Sequence, residues 1–573
     1  MAFLKPKVIH GHTYWYIAES RRDGGKVRTV NLAYIGRADD LLQRLQQQQP
    51  LDRLKSFSHG GVAVLLSLAD RLGLAELIDR HTRPSRPSRP TRHLLSVGQT
   101  LVLAAIGRAL HPTSKRGWAG WAEGTTVGRL WRFDTEQITS PFFWDQMDRL
   151  PAEALAAVQA ELGRRVLREF GVSADSLFYD VTNYYTFIDS RNRHCDLPQR
   201  GKNKQRRNDL RQFQVGMLVS RDGWVPLLEK VYRGNYNDVT TFPQALETIR
   251  RQCEELGIAP EAVTLVADKG NVCRKNWQFL DASQFGYVVS LTPSQQKDWA
   301  YRPLEEFAMC EVQDVGQMRV LRGQTQIAGR QRTVVVLDSP TLRDGQMRGL
   351  QQQMQPVMKG LSGVQNALLT ATRRRRRELI ERQVQGVLRK APGIRKLIGY
   401  ELTERESQRG FWQLDWWLDA EAFGQLRDRE YGRRMLATNR DGWATGEVVW
   451  AYWGQAEAEL VFRETKNPEF LALRPQYHWT DQKIEVHSFC CVVGYLLAAL
   501  VRRHARRMGY EQGMAALLAM LNGVRMVLRT ECSGRPGRPR AHWQLEETEP
   551  DALRLYRSLV HSDYELGPTA HGA

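Results

Sequence analysis

A chain of 573 residues is too long for one hydrophobic core and should divide into three or four domains. Its 82 Lys plus Arg against 63 Asp plus Glu leave a formal charge of +19, much of it arginine, which forks onto phosphate oxygens, so a polyanionic partner is expected; nucleic acid leads, and a ribosome or an anionic membrane surface also suits the charge. Seven scattered cysteines without a CxxC pair argue against a disulfide framework or a structural zinc site, and no stretch approaches about 18 uninterrupted apolar residues, so a cytoplasmic protein with no membrane span is expected.

Residues 13–35 hold two strand-like runs around Asp23-Gly24-Gly25, a hairpin signal. Such a hairpin serves as a small structural or lid element, or it touches DNA. Residues 38–80 look helical until RPSRPSRPTR (83–92) breaks the pattern. Proline at every third position favours a polyproline II path that lines up Arg83, Arg86, Arg89 and Arg92, as a solvated linker or as an arm along a phosphate backbone. Helical patterning resumes from Leu94 to Trp131. Short helices with a basic turn suit either a structural bundle or a helix-turn-helix with Lys115 and Arg116 near phosphates.

From Asp175 to Thr292 the order is three strands, a helix, a strand, a helix and a strand, which describes a mixed sheet flanked by helices. Asp180 lies at the polar end of the first strand, and Asp268 at the C-terminal end of the fourth, where open α/β sheets place ligands. Either aspartate alone would serve as a turn or cap residue.

Residues 296–430 interrupt this pattern. Residues 318–338 alternate like strands, and residues 366–390 read as a helix carrying Arg373 to Arg377, a solvated face or a phosphate-contacting ridge in which Arg373 and Arg374 take part. FWQLDWWLD (411–419) concentrates Trp412, Trp416 and Trp417, which pack in a core or offer one ring to an unpaired base. After a strand at 433–439, YWGQAEAELVFRETK (452–466) reads as a helix with Tyr452, Gln455, Glu459, Arg463 and Lys466 on one side. The helix at 484–507 is of a buried kind; His478 and His487 suit packing roles better than metal ligation, and SGRPGRPR (533–540) is a basic tail, linker or minor-groove segment.

Asp180, Asp268 and Glu459 are hard oxygen donors suited to two Mg2+ ions, with Mn2+ as a substitute, for in-line displacement at phosphorus. The spacing of Tyr452, Gln455, Glu459 and Lys466 resembles the signature Tyr-x2-Arg-x3-Glu-x6-Lys of bacterial insertion-sequence transposases of the DDE class, with Gln455 at the arginine position and Arg463 one turn past the glutamate. YDVTNYY around Asp180, GNYND (234–238), VADKG around Asp268 and RPQYHW (474–479) are similar to other blocks of that family, over about residues 175–500.

The resemblance implies a ribonuclease-H-like, mixed five-stranded α/β catalytic domain. Its first part would span 170–295 and its second 431–510, separated by an inserted α+β domain at 296–430. Residues 1–55 would be the β-hairpin and a linker helix, 56–165 a helical DNA-binding domain, and 511–573 a C-terminal helical region and basic tail. It further implies contacts of Tyr452, Gln455 and Lys466 with transposon-end DNA, a tryptophan of the insertion holding a displaced base, and a homodimer that cleaves double-stranded transposon ends in trans and joins them to target DNA. A nuclease of the same fold without strand transfer, or a DNA-binding regulator with a decayed site, would share these features.

Overall fold

The computed structural model describes residues 2–23, 26–40, 42, 53–83, 95–189, 191–201, 207–236, 238–255, 257–267, 276–406, 408–467, 471, 473, 476–531 and 540–565. Two compact units emerge: Met1–Thr241, Thr248–Ala259 and Ala456–Ala573 form the first, and Phe242–Glu247 with Pro260–Gln455 the second. Both are mixtures of helices and sheet, so the mixed α/β expectation holds.

The first unit opens with an antiparallel sheet of β1 (Ala2–Ile9), β2 (His12–Asp23) and β3 (Lys26–Arg37). The expected hairpin is β2–β3. The preceding turn pairs Ile9 with His12 through His10 and Gly11, both at positive φ, which matches the twist of a two-residue hairpin. Helical patterning over 38–80 is interrupted: Arg53–Ser58 is a strand, β4. Helices Gly60–Arg71, Leu74–Arg80 and Val97–Leu110 follow, the last begun by a Ser96/Gln99 capping box. A Cβ on Gly98 would lie 1.9 Å from the Ala75 carbonyl oxygen, so this glycine is what lets the two backbones touch. After helix Ala152–Phe170 comes a meander of β5 (Ser176–Tyr185), β6 (Gln212–Ser220) and β7 (Pro226–Arg233).

In the second unit the sheet is larger than expected. β8 (Thr264–Ala267) runs parallel to β9 (Gly286–Leu291). β10 (Ala308–Val312), β11 (Gly316–Ile327) and β12 (Arg330–Asp338) continue it in the order β10-β11-β12-β15-β9-β8, where β15 is Arg433–Thr438. The strands placed by sequence in an inserted domain therefore extend the sheet that holds β9. What is inserted between β12 and β15 is helix Pro340–Leu369, helix Arg377–Leu388 and a hairpin of β13 (Ile398–Glu404) and β14 (Trp412–Leu418). These share their own core of Leu361, Val384, Leu388 and Leu414.

The chain returns to the first unit with helix Gln455–Lys466 and helix Asp481–Arg507. By length and composition the latter is apolar enough to cross a bilayer, against the sequence expectation, yet 94% of its most apolar window is buried inside the protein. A Cβ on Gly494 would meet the Ala105 carbonyl at 2.5 Å, so this helix crosses Val97–Leu110 in backbone contact. Several of its polar groups are paired: Arg503 bridges Asp222 at 2.6 Å and donates to the carbonyls of Phe170 and Gly171, and Ser488 donates to the buried Glu229. Burial pushes the Glu229 carboxyl up to about 8. Helix Met514–Asn522 leads to β16 (Arg525–Glu531), which pairs with β4 on one side and β17 (Arg540–Leu545) on the other.

Gly98→Ala is expected to destabilise the first unit by at least about 2 kcal/mol through overpacking against Ala75. Gly345→Ala, on the exposed face of helix Pro340–Leu369 with nothing within 4 Å, is expected to stabilise by about 0.5–1 kcal/mol. Urea unfolding of the two variants measures the opposite signs.

Candidate active site

Alternation along β5 puts Asp180, Thr182 and Tyr184 on one face. That face meets the end of helix Gln455–Lys466. The Tyr184 hydroxyl and Thr465 Oγ1 are 2.6 Å apart, both buried, and the Lys466 amine donates to Thr182 and lies 5.4 Å from the centre of the Tyr184 ring. Asp180, half-buried two residues from Thr182, accepts the Val181 N–H at 2.8 Å with Oδ1.

On the helix, Glu459 and Lys466 are seven residues apart and so share a face about 10 Å in length. Glu459 and Arg463 are exposed. The helix's other described carboxylate, Glu464, points inward, and its pKa is raised by burial in spite of the nearby Arg502. The exposed carboxylate is therefore the one free to meet a substrate. Ala267 ends β8 immediately before Asp268, and Asp268 itself lies outside the described residues.

The single helix expected from Tyr452 to Lys466 is two. Helix Thr445–Trp453 ends at Gly454, and the next begins at Gln455. A face computed on one continuous helix therefore does not join Tyr452 to Glu459. Tyr452 is buried in the second unit with the Arg434 guanidinium 5.5 Å from its ring centre. The side chain of Gln455 lies outside the described residues.

Lys115 turns inward. Its amine lies 2.9 Å from His478 Nε2, and the His478 and His487 rings are 4.8 Å apart. Burial, then the neighbouring Arg108, lower the lysine to about 8. Both histidines fall well below their ordinary value, first through burial and then through Lys115. They are packing groups, as the sequence suggested, and among the described residues no three His, Cys, Asp or Glu side chains form a metal-holding group. Arg116 is exposed.

Arg373 and Arg374 are exposed but not helical: the first helix ends at Leu369 and the second starts at Arg377, leaving Arg373 to Arg376 in the connection. Trp412 and Trp416 pack against the inserted core, whereas Trp417 is 49% exposed. The proline-arginine arm from 84 onward and the basic tail up to 539 lie outside the described residues. Thr182, Tyr184 and Thr465, the residues that fasten strand to helix, escaped the sequence reading; the alternation of YDVTNYY was the available signal for the first two.

No protein-family model matches the chain, and no curated protein matches it. Among solved structures, a cryo-EM structure of a piggyBac transposase synaptic complex with hairpin DNA is similar to it. The likeness spans 80% of this chain and 79% of that one, with a TM-score of 0.39 and 8% identity. So distant a likeness carries no argument, and the functional reading stands on this chain's own residues.

The histidine pair makes stability depend on pH. Each histidine has a folded pKa below its unfolded value near 6.5, so the stability it contributes is fully present above pH 6.5 and is lost as pH falls below it. His487→Gln is expected to flatten the fall in unfolding free energy between pH 6 and 5 by about 1.4 kcal/mol per pH unit. Glu229 and Glu485, both raised, act with the opposite sign, so the variant is read against the unaltered chain in urea titrations at each pH.

Proposed function

We propose that this chain is a DDE transposase of the insertion-sequence type, which binds terminal inverted repeats, cuts donor DNA with water and joins the freed 3′-hydroxyl to target DNA. The observation that carries the reading is the clasp between β5 and helix Gln455–Lys466. Lys466 on Thr182 and Tyr184 on Thr465 hold the strand face bearing Asp180 against the helix bearing Glu459. Two acidic residues from distant parts of the chain thereby share one element pair.

Asp180, Asp268 and Glu459 would hold Mg2+, or Mn2+ in its place, and their carboxylates are the hard donors such ions take. When bound, the ions supply Lewis-acid stabilisation of charge at phosphorus. The chain's own part is to grip and orient. Arg463 extends an exposed guanidinium from the helix that carries Glu459, and Lys466 keeps its amine on Thr182 in the clasp; Arg116, Arg373 and Arg374 offer exposed guanidinium groups for backbone phosphates. Residues 56–165 would contribute to end recognition, and two copies would act together on paired ends in the bacterial cytoplasm. Lys115 is withdrawn from this list of phosphate contacts because its amine is engaged with His478.

Asp180→Asn, Asp268→Asn and Glu459→Gln are each expected to abolish metal-dependent cleavage of a DNA carrying the gene's flanking inverted repeats, while end binding by mobility shift stays within about twofold. Undiminished cleavage by any one variant removes that residue from the site. Cleavage without joined products would favour a nuclease.

A further inference from the structure

Past the clasp, the chain is used in alternation. Gln476 bridges Thr186, and the Phe187 N–H donates to the Gln476 carbonyl at 3.0 Å. Gln476 and His478 are buried, whereas Tyr477 and Trp479 are 65% and 46% exposed, the period of an extended strand. His478 is the inward anchor, held between Lys115 and His487, and it forces its two neighbours outward.

The outward rings do not stand alone. Tyr477 lies 5.6 Å from Phe187, itself 47% exposed, and Trp479 meets His194 edge-on at 5.8 Å. Their backbone is tied down: Asn192 donates to the Trp479 carbonyl at 2.9 Å, and Arg211 holds the carbonyls of Asn192, Cys195 and Pro198. Large rings displayed on a fastened backbone are a costly use of apolar surface unless something covers them. Cations accompany them. From Thr186 to Phe213 the sequence holds eight Lys or Arg against three Asp. Thr186 follows directly on the β5 residues that receive Lys466.

We propose that Phe187, Tyr477 and Trp479 form a stacking platform for unpaired nucleotide bases, just past the C-terminal end of the strand that carries Asp180. Aromatic faces accept any base, and the exposed Arg193 and Arg200 of the same segment suit the strand's phosphates. A duplex keeps its bases stacked on one another and cannot use the rings, so the platform separates single-stranded from double-stranded DNA. The choice of DNA as the ligand rests on the function proposed above; the platform's residues are distinct from the carboxylates and from the tryptophans of the inserted hairpin.

The test uses the full chain in EDTA, so that no cleavage intervenes, with a fluorescein-labelled duplex bearing an oligothymidylate tail and the same duplex blunt-ended. Tyr477→Ala and Trp479→Ala are each expected to weaken binding of the tailed duplex about tenfold by anisotropy while leaving the blunt duplex within about twofold. Trp479→Phe should keep most of the tail preference. In a second measurement, 2-aminopurine in the tail is quenched on binding the unaltered chain and stays bright with Tyr477→Leu, which keeps apolar bulk but loses the ring. Equal losses on both DNAs, or no loss on the tailed one, overturn the platform. Asp180→Asn should retain the tail preference, so failure of the catalytic assignment and failure of the platform appear in different assays.

Discussion

The first unit depends on covering helix Asp481–Arg507. This apolar helix of bilayer-spanning length has 94% of its most apolar window buried inside the protein, and it carries enough polar groups that the wrapping must also satisfy them. Gly494 admits helix Val97–Leu110 to backbone contact, Ser488 engages Glu229 on β7, and Arg503 clamps Asp222 in the β6–β7 turn together with the end of helix Ala152–Phe170. β5 pairs with β6, so the strand bearing Asp180 takes its place from the same helix.

The same helix explains the fate of charges that looked available. His487, one turn into its buried portion, faces His478, and Lys115 completes the cluster from the opposite side. Three groups that could carry charge are placed where charge is expensive, so the histidines stay neutral and the lysine is held less basic than usual. A cation expected on a DNA-facing turn thus serves as an internal hydrogen-bonding post.

Local pattern was a good guide where local forces decide. The order of strands and helices from β5 to β9 follows from runs such as FQVGMLVS and from the turn at Arg221 to Gly223. β4 was missed because RLKSFS is short and its partner β16 lies some 470 residues away, so its pairing is decided by tertiary contact. The membership of β10 to β12 in the large sheet was hidden for the same reason: β12 finds β15 only across the inserted helices. Of the candidate site, Asp180 and Glu459 were readable as residue types at fixed spacings. The Lys466–Thr182 contact, the break at Gly454 and the inward turn of Lys115 depend on which element lies opposite, and no periodicity encodes that.

The arginine run at 373–377 has one more consequence. Neighbouring like charges ordinarily push a chain into solvent-swollen disorder. Here the Arg375 N–H is held by the Gly410 carbonyl, and the Trp412 indole N–H by the Arg375 carbonyl, so the backbone restrains a self-repelling segment. Added salt weakens exposed pairs such as Arg377–Glu381, yet it also screens the repulsion inside the run. Ionic strength therefore acts on this connection with two opposite signs a few residues apart, tightening the run while loosening the helix start that follows it.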